Sequence, residues 1–574
     1  MFASQPASSA RRGLKQKTAQ RTPAQVARKV LVTELALNLA PDAVPWMDDL
    51  ARQFELENDE AVMEETFRHL AKGLVTRGDG FDGPQLVTAD MLEETYNRLL
   101  VTAEQPGAEG AHTGAGDELD STHFLKVVDA FEMPAWRWGD ERKGFEKAEA
   151  GPSLAPPATS KARYLRDRFN VIKQVILRNE HFSPPTLVGQ ERQDYMKLTS
   201  IKNLLGRQGG HFLIFGLLTR MEDGALYLED LDDKVELDLS EATPESGLFT
   251  EGSFVLVDGD YTVDSIFKVN EMGHPPSERR AAARRIYGHH DFLGTGAMSI
   301  AEEEELIHAE RMPQHETSFI VLSDIHLDNH KIMVALEKLL SAYEDMDDSE
   351  KPSLFVLCGN FRSRPFLFDG EATREYQELF ASLATLLAKF PSLLAHARFL
   401  LVPGPTDPWS SNLLPRPALP ESLVKPLLAK IPHITFGSNP CRIRYFSQEI
   451  VVFREDMMGR MMRNAVRMGD SNTEGADLRK ALVQTILDQA HLAPLPLNVR
   501  PILWDFDHSL RLYPMPTTLI LADKFDPYKL VYEDCLVFNP GSFARRRFGW
   551  STYYPQMVDA KERMEESELP DERN

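Results

Sequence analysis

Three apolar runs in the second half of the chain end in polar residues of types that do chemistry. Phe319-Ile-Val-Leu-Ser-Asp-Ile-His326 closes on Asp324-x-His326, a carboxylate and an imidazole on neighbouring loop positions at the carboxyl end of a predicted strand. A buried metal needs such a pair. Ser353-Leu-Phe-Val-Leu-Cys-Gly-Asn360 ends on Gly359-Asn360, and Phe399-Leu-Leu-Val-Pro-Gly-Pro-Thr-Asp407 ends on Gly404-Pro405-Thr406-Asp407. The ordered series is informative together and weak apart. His491, His508, Asp505 and Asp507 are further ligand candidates, although an isolated histidine is more often a satisfied core or surface residue. Only three cysteines occur, Cys358, Cys441 and Cys535, with no CxxC pair. Neither a disulfide scaffold nor a structural zinc site is therefore available, and a reducing compartment is implied.

The elements that must position these residues alternate apolar strands (319–322, 353–357, 399–402) with amphipathic helices (331–343, 372–390), and later strands follow at 443–446, 450–453, 517–521 and 536–538. That alternation predicts an α/β layered domain. Before it, period-two runs at 211–217, 225–228, 234–239, 253–257 and 264–269 predict a small Greek-key barrel of the OB type. Such a barrel can bind single strands on a basic aromatic groove, but this stretch carries Glu222, Asp223, Glu229, Asp230, Asp232 and Asp233, so a structural role is favoured. A helix is predicted over 161–179, and the acidic run 302–305 reads as a solvated helix face.

Toward the N-terminus, Thr22-Pro23 reads as a cap followed by a first-turn proline, and helical spacing recurs near 46–56, 61–75 and 91–100. A four-helix docking module is expected. From 102 the composition turns to Gly, Ala, Glu and Pro, which reads as a linker. Seven basic residues and no acid fall within 1–30, so a disordered basic tail is expected there, with nuclear import or phosphate contact as its functional reading. The expected order is a basic tail (1–21), helical domain (22–101), flexible linker (102–160), connecting helix (161–186), OB domain (187–272), connecting segment (273–317), α/β domain (318–555) and charged tail (556–574).

The whole chain has 574 residues, 64 Lys and Arg against 87 Asp and Glu, and a formal charge of −23. Bulk electrostatics of that sign do not hold DNA, so any nucleic-acid contact must be local. The strongest local basic patch is Arg545-Arg546-Arg547-Phe548-Gly549-Trp550. It suits DNA phosphate, an acidic partner, or the chain's own carboxylates. No apolar run has the length of a membrane span.

The strand-end series resembles the calcineurin-like metallophosphoesterases, whose strand ends read DxH, GD, GNH and GHxH and hold two metal ions. Asp324 and His326 match the first motif. The bridging aspartate is replaced by Asn360, the Asn-His pair by Pro405 and Thr406, and the GHxH stretch aligns with Ala522-Asp523-Lys524-Phe525. The resemblance thus implies an α/β sandwich without its metal site, without cofactor and without hydrolysis. Asn539-Pro540-Gly541-Ser542, which often follows, is kept.

A barrel followed by a ligand-poor phosphoesterase domain is similar to the B-subunits of eukaryotic replicative DNA polymerases, and most to those of the epsilon enzyme. Phe355-Val-Leu-Cys-Gly-Asn-Phe361, Val402-Pro-Gly-Pro-Thr-Asp-Pro408, Leu413-Leu-Pro-Arg-Pro417, Ser438-Asn-Pro-Cys-Arg-Ile443, Phe453-Arg-Glu-Asp456, His491-Leu-Ala-Pro-Leu-Pro496 and Ala522-Asp-Lys-Phe-Asp-Pro527 carry that likeness over about 179–554. The fold it implies is multidomain, α+β and α/β: an N-terminal helical bundle like the lid of AAA+ ATPases, an OB-fold barrel and a calcineurin-like sandwich. No GxxxxGK string accompanies the lid-like module. The function it implies is a nuclear, non-catalytic scaffold. Its partners would be the cysteine-rich carboxyl-terminal module of the catalytic subunit, GINS in the replicative helicase through 22–101, the histone-fold small subunits, and DNA through the complex. An active metallophosphoesterase and a single-strand-binding module are the competing classes. Metal content discriminates the first, and salt-dependent oligonucleotide binding the second.

Overall fold

The structure, a computed structural model, describes residues 124–569 apart from 140, 184–194, 223, 313–316, 409–411, 470–476, 546, 558–559 and 561, together with parts of 22–96. It divides into two compact units, Met1–Glu118 and Leu119–Asn574. In the first, helices run over Pro23–Ala27 and Ala43–Gln53, and β1 (Asn38–Leu39) pairs in parallel with β2 (Leu86–Val87). Val26, Leu31, Met47, Leu50, Phe67 and Leu92 form its core. The strand pair departs from the all-helical expectation, since two residues are too short for alternation to register. The basic tail 1–21 lies outside the described residues, as do the ends 68–75 and 97–100 of the helical runs expected over 61–75 and 91–100.

The linker expected over 102–160 is corrected in its second half. Residues 102–123 lie outside the described residues, but β3 (Leu125–Asp129), β4 (Trp136–Gly139) and β5 (Gly144–Lys147) follow directly. β3 pairs antiparallel with Cys441–Tyr445, and the β4–β5 hairpin sets Trp138 and Phe145 against Tyr287. The apolar and aromatic residues of 124–145 outweigh their polar neighbours once a distant sheet edge accepts them.

A helix over Thr159–Arg178 then lays Phe169, Ile172 and Ile176 on Phe215 and Phe254 of the barrel. The barrel is built from β6 (Leu198–Thr199), β7 (His211–Arg220), β8 (Leu226–Glu229), β9 (Lys234–Asp238), β10 (Thr243–Pro244), β12 (Phe254–Tyr261) and β13 (Ile266–Gly273). Strand order is β10-β13-β12-β7-β8-β9, and β9 pairs back onto β13 to close it. Alternate residues such as Ile214, Leu228, Val235, Val255, Val257 and Phe267 fill the interior, as period-two patterning dictates. Outside the path, β11 (Leu248–Thr250) leaves the barrel to pair with β20 (Ala465–Met468). Gln489 fastens the same joint, donating to Phe254 O at 2.6 Å and accepting from Phe254 N at 2.7 Å.

Helices over Arg280–Tyr287 and Ile300–Glu310 lead into the α/β domain. The acidic run 302–305 belongs to the second, where Glu302 closes a capping box with Ser299. One sheet has the order β17-β16-β15-β14-β24-β25, with β14 (Phe319–Ser323), β15 (Leu354–Cys358), β16 (Arg398–Val402) and β17 (Ile434–Phe436) parallel and β24 (Trp550–Tyr553) and β25 (Met564–Ser567) at the far edge. The other has the order β22-β23-β21-β19-β18-β3, with β18 (Cys441–Tyr445), β19 (Gln448–Arg454), β21 (Thr518–Ala522), β22 (Tyr528–Tyr532) and β23 (Cys535–Asn539). Val321, Val356 and Leu400 of the first sheet meet Ile443, Val452 and Ile520 of the second. Their neighbours Ile320, Leu322, Phe355 and Leu401 turn outward under one helical layer, and Val451, Phe453 and Leu519 under another. Near-continuous apolar strands follow from burial on both faces. The charged tail is also corrected: β25 (Met564–Ser567) pairs antiparallel with β24 (Trp550–Tyr553), because Met564 enters the inter-sheet core.

Candidate functional site

The carboxyl ends of β14, β15, β16, β19 and β21 bring the motif residues to one place. Asp324 follows β14 with a left-handed backbone (φ 59°), which Asp tolerates better than most residues. Its Oδ1 accepts from the Asn360 backbone N–H and from Asn360 Nδ2, both at 3.2 Å. Asn360 Oδ1 in turn accepts from Thr406 N at 2.9 Å. The glycines at 359 and 404 are required by close approach: a Cβ at Gly359 would drive into the Asp407 carboxylate, and one at Gly404 would sit 2.5 Å from Asn360 Oδ1. Asp407, fully buried, ties the loops together by accepting from Phe361 N (2.8 Å), Gly404 N (2.7 Å) and Tyr376 OH (2.6 Å). Burial pushes its carboxyl up from the ordinary value against these donors.

At the centre stands a cation that the motif comparison missed. Arg454, at the end of β19 and fully buried, donates Nη2 to Asp324 Oδ1 at 2.7 Å, Nε to Gly359 O at 2.6 Å, and Nη1 to Asp456 Oδ1 at 2.9 Å and Ala522 O at 3.1 Å. Burial would raise the Asp324 carboxyl, but the guanidinium overrides it and holds it below the usual carboxylate range. The same contest leaves Asp456 at about 2, with Lys524 Nζ adding a second partner at 3.0 Å. Asp523, by contrast, faces backbone N–H groups of Met458 (2.8 Å) and Phe525 (3.0 Å), and burial lifts it to about 6.

These residues do not fit a two-metal centre. Asp324 Oδ1 is taken by Arg454, a fixed cation where a metal would stand, and His326 Nε2 lies 3.9 Å from that same oxygen. Asn360, Pro405, Thr406 and Phe525 bring no anionic or imidazole ligand. Among the described residues no group of three or more His, Cys, Asp or Glu is arranged to hold a metal ion. His491 and Asp507 do meet, at 3.1 Å, but inside a separate buried cluster. His491 Nδ1 accepts from Ala493 N at 3.0 Å, so its Nε2 carries the proton given to Asp507, and burial pushes the imidazole down to about 4. His508 Nε2 bonds Met133 O at 3.1 Å, and Asp505 Oδ2 accepts from Ser153 N at 3.2 Å. None of these contacts is with Asp324.

Arg454 had one signal in the sequence: three consecutive charges, Arg454-Glu455-Asp456, directly after an apolar strand. Glu455 heads a neighbouring buried cluster, accepting from Arg416 (2.9 Å), Arg460 (3.3 Å) and Arg500. The barrel's acids are turn chemistry. Asp230 Oδ1 accepts from Asp232 N and Asp233 N at 2.8 and 2.9 Å, and its Oδ2 from Ile201 N at 2.9 Å. Of the basic patch, Arg546 lies outside the described residues. Arg545 is exposed, and Arg547, 71% exposed, approaches Glu568 at 3.7 Å.

Comparison with known proteins agrees with this architecture. Residues 319–529 match the family of DNA polymerase alpha/epsilon B-subunits, and 158–276 match the DNA polymerase epsilon subunit 2-like OB-fold domain. Among the DNA polymerase epsilon B-subunits, the chain is 39% identical over 469 residues to that of Schizosaccharomyces pombe, covering 78% of each. It is 37% identical over 473 residues to that of Arabidopsis thaliana (81% of this chain, 89% of that one) and 34% identical over 508 residues to DNA polymerase epsilon subunit 2 of Mus musculus (84% and 94%). With a barrel under one family description, an α/β domain under the other, and this identity sustained over more than three quarters of its length, the chain belongs to the family of DNA polymerase epsilon B-subunits.

Proposed function

We propose that the chain is a non-catalytic scaffold of a DNA polymerase epsilon complex in the nucleus, acting in leading-strand replication and its initiation. In this reading the barrel and the phosphoesterase-like domain together clasp the cysteine-rich carboxyl-terminal module of the catalytic subunit. Residues 22–101, read as a bundle like an AAA+ lid, dock on GINS in the replicative helicase, and histone-fold small subunits complete the assembly. The observation that carries the non-catalytic half is Arg454. A covalently held cation bonded to four groups at the strand ends supplies the charge that metal ions would otherwise supply, and it cannot activate a water. The barrel and the α/β domain support the clasp by presenting one continuous body, joined by the β11–β20 ladder and Gln489. The division of the chain into two compact units, Met1–Glu118 and Leu119–Asn574, supports a tethering role, which raises effective concentration without new chemistry. Arg545 and Arg547 are the exposed basic positions from which a DNA phosphate or an acidic partner would be met.

Two measurements on the purified chain test this. Incubation with manganese and desalting should leave near-zero metal by elemental analysis, and co-expression with the catalytic subunit's carboxyl-terminal module should give a complex stable through gel filtration. About two bound ions per chain, the two-metal expectation, would reopen the hydrolase reading. Failure of the two proteins to co-elute would sink the scaffold reading.

A further inference from the structure

Away from the strand-end site, a cavity of about 60 Å³ lies between helix Arg280–Tyr287, strand β18 and the loop 291–298. Two arginines one helical turn apart, Arg280 and Arg284, face two on one face of β18, Arg442 and Arg444, and Arg511 closes the ring. Glu449 is shared by Arg280 Nη1 (2.9 Å) and Arg442 Nη1 (2.7 Å). Arg284 is paired with Glu303 at 3.0 Å, and Arg511 with Asp167. Asp291 gives its carboxylate to the backbone N–H groups of Gly294 (2.8 Å), Thr295 (3.1 Å) and Gly296 (2.9 Å). Among the described residues Arg444 bonds only neutral acceptors: Thr295 O (3.2 Å), Thr295 Oγ1 (2.6 Å), Gly296 O (3.3 Å) and Met298 Sδ (3.5 Å). Five guanidinium groups thus stand against four carboxylates. The N–H at Nε of Arg280, Arg442 and Arg511 has no hydrogen-bond partner among the described residues.

We propose that this cavity binds a small tetrahedral oxyanion of the phosphate class. The room suits it, since a water-sized atom needs on the order of 10–15 Å³ on this measure, so four oxygens fit. The charge suits it, because an excess cation that is half-buried, as Arg444 is, costs less once an anion joins it. The donors suit it, since guanidinium forks match oxyanion geometry. His290 and His508, which also line the cavity, are neutral, burial having pushed each down to about 4. Burial lowers Arg442 and Arg444 as well, against the pull of Glu449 and Asp291 and with a smaller push from neighbouring arginines.

The test is equilibrium dialysis of the full chain against radiolabelled orthophosphate at fixed ionic strength. Wild type is expected to bind saturably at about one phosphate per chain, Arg444→Gln to bind at least roughly tenfold more weakly, and Arg444→Lys to fall between. Circular dichroism checks that each variant folds, and if Arg444→Gln does not, the wild type and Arg444→Lys decide. Absence of saturable binding by wild type means the cavity holds water alone and overturns the proposal. Equal binding by wild type and a folded Arg444 variant overturns it too, by placing the anion elsewhere.

Discussion

Two buried ion clusters grow from consecutive residues at the end of β19, and they have opposite stoichiometry. Arg454 is one cation between two carboxylates, Asp324 and Asp456, with carbonyl oxygens taking its remaining donors. Glu455 is one anion among three arginines, Arg416, Arg460 and Arg500. The first cluster leaves no guanidinium nitrogen of Arg454 unmatched, whereas in the second Arg416 Nε and Nη1, Arg460 Nε and Arg500 Nε find no partner among the described residues. The difference lies in what each cluster can do when disturbed. A carboxylate that loses its cation can take up a proton and become neutral, while an arginine remains charged over the working pH range. Even crowded, Arg500 falls only to about 9, chiefly through burial. The carboxylate-rich cluster therefore has an exit through pH that the arginine-rich cluster lacks.

The largest effect is expected from Glu455→Gln, which leaves three arginines around a neutral amide. Urea unfolding should show a loss of about 3–5 kcal/mol at pH 7, with no recovery on acidification. A loss below ~1 kcal/mol would mean the arginines reach solvent and would break the comparison. Arg454→Met should cost about 3 kcal/mol at pH 7. With the guanidinium gone, the burial that it had overridden raises the folded-state value of Asp324 in this variant, so the deficit should shrink as pH falls toward 5. A pH-independent deficit would contradict the proposed exit. A third carboxyl sharpens the point, because Asp488 has no arginine partner among the described residues. It accepts from Tyr532 OH at 2.8 Å, and burial lifts it to about 7. A folded value raised above the unfolded one gives stability that is full below about pH 4 and lost as pH rises toward 7. From pH 5 to 7 that loss should be on the order of 2 kcal/mol in wild type and absent in Asp488→Asn. The smallest effect is expected from Lys524→Ala. Lys524 is half exposed and its bond to Asp456 is backed by Arg454, so less than ~0.5 kcal/mol should be lost. A larger loss would make Lys524 a member of the cluster rather than its fringe.

The sheets of the α/β domain were legible because alternation and strand length are local properties: Phe319–Ser323, Leu354–Cys358 and Arg398–Val402 sit where apolar runs end in Gly, Asp or Pro. The placement of Asp324, Asn360 and Thr406 at converging strand ends followed from those runs. The role of Arg454 did not, since its four acceptors are 2 to 130 positions away and only the folded sheet order collects them. Asp407 was visible as the end of a motif but not as the carboxylate that holds two loops and Tyr376. The misread half of the linker has the same origin. Leu125–Asp129 is an ordinary short strand whose partner lies more than three hundred residues away, and the Gly-rich run just before it sets the local composition.

That strand also has a mechanical consequence for the second unit. β3 is zipped to Cys441–Tyr445 along all five of its residues, and Ser438 Oγ accepts from Ala130 N at 2.7 Å directly behind it. A pull on the chain from ahead of Phe124 meets the five paired residues of β3 first, so this edge strand is a mechanical stop as well as part of a sheet.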